Sequence, residues 1–442
     1  MGVTLERTLA AALALTVVAF ASGSAIVQDV LHVGRPARWI VLLALLGLAC
    51  AYALGATSGP MRGAFLPLTV ALVAVALAST LWSVDPRLTL ERACTLAALA
   101  GVGTALLYGS RGRVETVRLF LLGLLVGMVL VALFGLVVLA VSPGDAIQPA
   151  STEYPARFRG FGQNPNTVSL LLALGVPLAL LLALDGGSRR LRLAAASATL
   201  LFAGSITASA SRGAMLGALA GALVLVLVRG ATVRRRVELA AVVVGAFGIC
   251  VGVSQIPDRK SPSPSPAFAP SRPVNTDGRN ADRPLSGYGS PPKAVPRTLF
   301  GSSGRSEAWR GAVHQVEKRP IAGYGFGTEE LAFVDRYPDF ASDLPENSFI
   351  GTALQIGLTG LALLLAVAVS ALAGFARSLG RLTGDVRATA AACAGVAVAA
   401  LVLGLTQSYL LSVGNIATAS AWLCMFLLVA LTRTSDRPTQ RD

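Results

Sequence analysis

Glu346-Asn347, in the stretch "DLPENSFIGTALQIGLTG", stands at the lip of an apolar run long enough to cross a membrane. A carboxylate placed there can accept the proton of an attacking hydroxyl, and the amide beside it can orient the acid or a sugar hydroxyl. Three further polar clusters occur at the mouths of apolar runs. "ARFRGFGQNPN" brings Arg157, Arg159, Asn164 and Asn166, "SASRG" brings Ser209, Ser211 and Arg212, and "SGRSEAW" brings Arg305 and Trp309. Guanidinium forks bind phosphate oxygens at two points and stay charged at any relevant pH. Several of them at headgroup depth suit a polyanionic lipid such as a polyprenyl diphosphate. Each arginine also admits a plainer reading, as a loop residue bonding carbonyls or headgroups. Glu346 likewise reads as an acid favoured by the helix macrodipole.

The elements that must position these groups are membrane spans. Of the 442 residues 54% are hydrophobic and 14% charged, where a soluble domain carries about 25% charged residues. Mean hydropathy is +0.67. Apolar runs near the ~20-residue crossing length fall at 9–27, 37–56, 64–82, 89–108, 116–141, 167–184, 191–209, 213–228, 237–254, 348–375, 388–411 and 415–431. The expected fold is all-α, a polytopic membrane bundle of about twelve transmembrane helices with one large extracytoplasmic loop. Residues 1–254 carry spans one to nine, 255–297 a Pro/Ser-rich stretch expected to be disordered, and 298–346 a structured amphipathic part of the loop. Residues 347–442 carry spans ten to twelve and a tail.

Basic loops set the orientation. "GSRGRVETVR", "DGGSRRLR", "RGATVRRRVE", "ARSLGRLTGDVR" and the tail "TRTSDRPTQRD" share one side, which the positive-inside rule makes cytoplasmic. Both termini then lie there, and the four polar clusters lie outside. Arginine on that outer side runs against the bias. The net charge of +14 is accounted for by the cytoplasmic loops. With no basic stripe interleaved with aromatics, nucleic acid is not expected as a partner; membrane lipid is. The N-terminal "MGVTLERTLAAALALTVVAFASGSA" has the look of a signal peptide but reads better as a retained first span. Cys50, Cys94, Cys250, Cys393 and Cys424 lie in or beside apolar runs without metal-ligand spacing.

Within the loop, "SEAWRGAVHQVEKRP" places Trp309, Ala312, Val313 and Val316 at helical spacing, with Pro320 closing the element. It predicts an amphipathic helix on the membrane surface or over the span mouths. "GYGFG" at 323–327 resembles a phosphate loop but follows no strand, so it reads as a turn near the surface. Tyr324 and Phe326 there suit either stacking on sugar or interface anchoring. Trp82 and Asp85 read as an anchor and a turn, with Arg92 just inside the next span. His314 reads as solvated, and His32 has no evident partner. Gly213, Gly217 and Gly221, four apart, predict a close helix–helix approach that fixes Arg212 at the end of a packed helix.

The segments "LWSVDPRLTLERA", "RFRGFGQNPNTVSLLL", "SASRGAMLGALAGALV", "SGRSEAWRGAVHQVEKRPIAGYGFG" and "ENSFIGTALQIGLTGLALLL" run in order between 81 and 365 around one large loop. Together they resemble the O-antigen ligase and O-antigen polymerase family of bacterial envelope glycosyltransferases. The resemblance implies a multi-span helical enzyme without metal, nucleotide or other cofactor. Such an enzyme transfers a glycan, with inversion, from an undecaprenyl diphosphate donor to an acceptor sugar hydroxyl on the outer face of the cytoplasmic membrane. Its partners would be a lipid-linked oligosaccharide and a glycan or glycolipid acceptor. The family's functional arginines match Arg212 of "SRG" and Arg305 of "SGR". Where the family often has histidine before the asparagine, this sequence has Glu346. The expected catalytic set is Glu346, Arg212 and Arg305, with Arg157, Arg159, Asn164, Asn166, Trp309 and Asn347 binding substrate. A transporter or flippase of a lipid-linked sugar would also gather arginine near a diphosphate. It would be expected to show repeated halves and polar groups at mid-membrane, and neither is evident here.

Overall fold

The computed structural model describes residues 2–55, 63–150, 156–230, 232–254, 305–333 and 344–434. The Pro/Ser-rich stretch 255–297 and the first residues of the 298–346 segment lie outside them. The first half of the chain forms α1 (Gly2–Ser22), α2 (Gln28–Leu54), α3 (Phe65–Ala78), α4 (Pro86–Ser110), α5 (Val114–Val141) and the short α6 (Pro143–Ala146). A two-residue hairpin follows, Ile147–Gln148 against Arg157–Phe158, with Ile147 opposite Phe158 and Gln148 opposite Arg157. Then come α7 (Pro165–Asp185), α8 (Arg189–Ala208), α9 (Arg212–Arg229), α10 (Val233–Ser254), α11 (Arg305–Lys318) and α12 (Glu329–Ala332). The chain ends with α13 (Ser348–Ser378), α14 (Gly384–Gly404) and α15 (Thr418–Thr434).

The architecture is an all-α, multi-pass membrane bundle. Each of the twelve expected spans falls on a helix. Among the described residues nine of these are long and apolar enough to cross a membrane: α1, α2, α4, α5, α7, α8, α9, α13 and α14. Residues 65–81 and 418–433 form shorter apolar helices, and α10 occupies the remaining place. Helix starts follow local chemistry. Asp85 accepts the Leu88 N–H at 3.0 Å, and Ser188 accepts that of Leu191 at 3.1 Å. Pro86 and Pro165 occupy first-turn positions that need no N–H donor.

The glycine stripe of α9 packs on α14. A Cβ on Gly213 would meet Thr406 Oγ1 at 2.2 Å, one on Gly217 the Leu403 side chain, and one on Gly395 the Gly221 carbonyl at 2.6 Å. Only hydrogen fits at such an approach.

Two departures from the expected spans matter for the site. The run 388–411 does not continue as one helix: α14 stops at Gly404, and residues 405–417 form a partly buried non-helical segment. Irregular backbone at this depth is tolerated because protein groups bond it. Ser348 Oγ donates to the Gln407 carbonyl at 2.7 Å and accepts the Tyr409 N–H at 2.9 Å; Tyr409 Oη reaches the Ala400 carbonyl at 2.6 Å. The second departure is a break in α13 at Ile356 (φ −130°, ψ 24°) and Gly357 (φ 68°, ψ −174°).

Contacts between sequence-distant turns define one end of the bundle, called here the site end. Ile26 N–H bonds the Phe161 carbonyl at 2.7 Å, Val84 N–H that of Tyr324 at 2.9 Å, and Arg38 Nη1 that of Gly414 at 3.1 Å. The opposite end carries the Arg-bearing turns after α4, α7, α9 and α13.

Candidate active site

α11 runs along α13 and seats Ala308, Ala312 and Val316 against Phe333, Ala353 and Leu354. The inward face is 308, 312, 315 and 316, with Gln315 buried and Val313 45% exposed. The predicted stripe of 309, 312, 313 and 316 is therefore rotated by about one position, because the partner is a helix on one side and not a lipid surface below. This rotation brings Arg305 and Trp309 to the start of α13. Arg305 donates through Nε to Glu346 Oε2 at 2.9 Å, and through Nη2 to the same oxygen. Trp309 Nε1 donates to the Pro345 carbonyl at 2.9 Å. The ion pair is partly accessible, its two side chains 21% and 19% exposed.

Glu346 occupies the left-handed region, φ 49°, which costs a residue with a Cβ about 1–2 kcal/mol. Its neighbour over-determines that turn. Asn347 Oδ1 caps α13 by accepting the Phe349 and Ile350 N–H groups at 3.0 and 3.1 Å. Asn347 Nδ2 donates to the Leu405 carbonyl at 3.2 Å, and its main-chain N–H to Ser408 Oγ at 3.1 Å. The strained residue is the one bearing the candidate base, and such strain is typically found at functional sites.

A second cluster forms at the α8–α9 turn. Arg157 is buried, with Nε on the Ser209 carbonyl at 2.7 Å and Nη2 on Asn166 Oδ1 at 2.9 Å. Asn164 caps α7, its Oδ1 accepting the Asn166 N–H at 2.8 Å. Arg159 bonds the Asp145 and Gly144 carbonyls at 2.7 and 3.1 Å. Ala210, φ 48°, turns the chain so that Arg212 opens α9. The 405–417 segment joins the two clusters: Thr406 lies against Gly213 while Leu405, Gln407 and Ser408 bond Asn347 and Ser348. Arg305 thus meets Glu346 directly, Trp309 meets Pro345 before it, and Asn347 follows on the same turn. Arg212 opens α9 next to Gly213, against which Thr406 of the bridging segment lies. Arg157, Arg159, Asn164 and Asn166 bond one another and the main chain.

The "GYGFG" stretch is not a surface turn. It is threaded between the α3–α4 corner and the break in α13. Tyr324 and Gly325 N–H bond the Leu354 and Gln355 carbonyls at 2.9 and 2.8 Å, and Leu358 N–H the Pro320 carbonyl at 2.7 Å. On the other side Phe326 N–H reaches Ser79 Oγ at 2.9 Å, and Trp82 Nε1 the Ala322 carbonyl at 2.8 Å. Gly323, Gly325 and Gly327 have positive φ, and a Cβ on Gly323 would lie 2.5 Å from the Gln355 carbonyl oxygen. Phe326 is fully buried and cannot stack on a sugar; Tyr324 Oη bonds Gln315. Trp82 bonds the Ala322 carbonyl while its ring stays exposed. His314 lies beside Glu317 at 3.5 Å on the exposed face.

Behind this stretch is a residue that sequence reasoning missed. Glu329 is buried, its Oε2 accepting from Gln355 Nε2 at 3.0 Å while Oε1 has no hydrogen-bond partner. Burial pushes its carboxyl up to about 7, against the opposing pull of Ser408, Arg92 and Gln355. The available signal was two adjacent acids, Glu329-Glu330, directly after three glycines. Among the described residues no group of three or more His, Cys, Asp or Glu could hold a metal ion. A groove of about 590 Å³ between α2, α3 and α4 is lined by Cys50, Leu54, Leu66 and Tyr108 without a charged residue; it lies toward the opposite end.

The site therefore pairs a guanidinium with a carboxylate on a strained turn, which the bridging segment links to the first residues of α9. That arrangement can grip a phosphate group and accept a hydroxyl proton. No curated protein matches the chain. The family profile of O-antigen ligase matches residues 197–365, a range running from α8 through the first half of α13 and containing Arg212, Arg305 and Glu346.

Proposed function

We propose, from the match of residues 197–365 to the O-antigen ligase family in a multi-pass helical chain, that the chain transfers a glycan from a polyprenyl diphosphate donor to an acceptor sugar hydroxyl. We place the reaction at the outer face of the bacterial cytoplasmic membrane, with both termini inside. The observation that carries this reading is the Arg305–Glu346 pair on the left-handed turn at the mouth of α13.

In the resting site Arg305 and Glu346 neutralise each other. A donor diphosphate competes for the guanidinium, since its oxygens accept the same two-point bonds. Arg305 and Arg212 then stabilise the charge that builds on the leaving diphosphate. Glu346, released from Arg305, accepts the proton of the attacking hydroxyl, a contribution typically worth about 10²–10⁴-fold in rate. Attack opposite the leaving group inverts the anomeric carbon, and no metal is needed for charge that two guanidinium groups already meet. Asn347 and Trp309 set the turn and its edge. Arg157, Arg159, Asn164 and Asn166 line the neighbouring mouth for substrate, and Arg157, backed by Asn166, also holds the turn before Arg212 through the Ser209 carbonyl.

The test is reconstitution. Purified chain in lipid nanodiscs, given a lipid-linked glycan donor and an acceptor with no ion gradient, is expected to form the transferred product. Movement of the lipid-linked sugar across a vesicle membrane without product would assign it as a transporter.

A further inference from the structure

The first turns of α2 carry two cations that the transfer mechanism does not use. Arg35 and Arg38 stand three residues apart, which puts them on one face of the helix. Val33, Ile40 and Leu43, 70%, 68% and 63% exposed, mark the lipid side of α2. The arginine face is the other one, turned toward the bundle.

Arg38 is held on several sides. Its Nη1 donates to the Gly414 carbonyl at 3.1 Å, and its Cζ lies 4.4 Å from the centroid of the Trp39 ring. That ring is set in turn by an edge contact with Phe20 at 5.9 Å. Two glycines leave room for the side chain: a Cβ on Gly23 would come 3.1 Å from Arg38 Cδ, and one on Gly414 would come 3.1 Å from Nη1. Gly414 belongs to the 405–417 segment, whose Leu405 and Ser408 bond Asn347. The fixed guanidinium therefore stands on the same supporting segment as the turn that bears Glu346.

This pair has no counter-ion. Among the described residues no acid lies within ion-pair distance of Arg35 or Arg38, and Asp29 in the first turn of the same helix pairs with neither. Arg38 Nε is buried without a hydrogen-bond partner. Like charges at this spacing destabilise a helix, and at the end proposed as extracytoplasmic arginine runs against the charge bias. A carbonyl and a ring face orient the guanidinium without neutralising it. Arg35 is exposed, so the pair is open from the mouth of the bundle. The arrangement costs the empty fold stability and suits it to an anion.

We propose that Arg35 and Arg38 form an oxyanion subsite for the glycan substrate, taking a carboxylate or phosphate substituent of a sugar by two-point bonds. The subsite gives the enzyme a preference for acidic over neutral glycan. Because the lipid side of α2 is the opposite face, the anion reaches the pair from the mouth and not from the surrounding leaflet. The assignment to the glycan rests on the transfer reading; anion binding by the pair does not.

Fluorine NMR of the full chain labelled with fluorotryptophan tests this, with the Trp39 resonance assigned by Trp39→Phe. Inorganic phosphate and glucuronate are titrated separately, in phosphatidylcholine nanodiscs at constant ionic strength. At least one should shift the Trp39 resonance saturably, and the tighter of the two names the substituent. Arg38→Gln, which keeps a donor for the Gly414 carbonyl, should abolish the shift. Arg35→Gln alters an exposed side chain and should weaken binding by at least about tenfold, the usual worth of a charged hydrogen bond. Arg305→Ala should leave the response unchanged. In the transfer assay Arg38→Gln should raise KM about tenfold for an acidic glycan, sparing its neutral analogue and kcat. A response that is absent, that never saturates, or that persists in both α2 variants overturns the proposal. So does a Trp39 shift produced by phosphatidylglycerol nanodiscs and by neither soluble anion, which would assign the pair to a bilayer headgroup. The titration needs no turnover, so a chain that transfers no glycan would fail the functional reading and leave the anion subsite to be judged by itself.

Discussion

The two ends of the bundle handle arginine differently. At the opposite end cations meet anions from neighbouring helices: Arg113 with Glu6, Arg118 Nη1 with Asp385 at 2.8 Å, and Arg229 Nε with Asp185 at 3.1 Å. Tyr52 and Thr116 complete the Glu6 group at 2.9 and 3.2 Å. At the site end Arg305 also meets an anion, Glu346, while Arg38, Arg92, Arg157 and Arg159 give N–H groups to main-chain carbonyls, as Arg111 and Arg236 do at the opposite end. Carbonyl dipoles orient a guanidinium without cancelling its charge. The first pattern staples helices; the second holds a guanidinium in place and keeps its charge. The backbone tells the same story. Arg111, left-handed at φ 51°, is an ordinary helix end, whereas Ala210 and Glu346 turn the chain at the two polar clusters.

Substitutions matched across the two ends sharpen this contrast. Arg305→Ala should lower glycan transfer by about 10²–10³-fold, as expected for loss of a preorganised charge, with membrane expression retained. Arg229→Ala should leave turnover within about twofold yet cost about 2 kcal/mol of stability, since the Asp185 partner is left half-buried without its cation; thermal unfolding in detergent reads it. Transfer lost equally in both variants would dissolve the distinction. Gly323→Ala, forced against the Gln355 carbonyl at positive φ, should cost about 1–3 kcal/mol and cut turnover roughly in step by loosening the threaded stretch. Protease resistance of the 305–347 segment would report it. His314→Ala, on the exposed face of α11, should stay within about 0.5 kcal/mol and leave activity unchanged.

Much of this was legible in the sequence for identifiable reasons. Hydropathy located every long helix, because the cost of unbonded backbone in hydrocarbon leaves few other choices. Residue type at the span mouths picked out Arg305 and Glu346, and the structure joins them. What hydropathy cannot read is helix continuity. Residues 405–417 and the Ile356–Gly357 break look apolar enough to span, and only their partners show that the backbone is bonded elsewhere. Gln407, Ser408, Ser412 and Asn415, crowded inside one apolar stretch, were the available hint. The "GYGFG" glycines were visible, but their purpose depends on the Leu354 and Gln355 carbonyls that the break in α13 exposes. Glu329 was obscured for the same reason, its partners being separated from it by 26 to 237 residues.

The contrast between the ends reduces to where an anionic lipid binds, and equilibrium binding of a polyprenyl diphosphate to the purified chain measures that directly. The account predicts that Arg212→Ala and Arg305→Ala each weaken binding by about ten- to a hundredfold, the usual worth of a charged hydrogen bond, while Arg229→Ala binds as the wild type does. Unchanged affinity in both site-end variants, or an equal loss on removing Arg229, would contradict it.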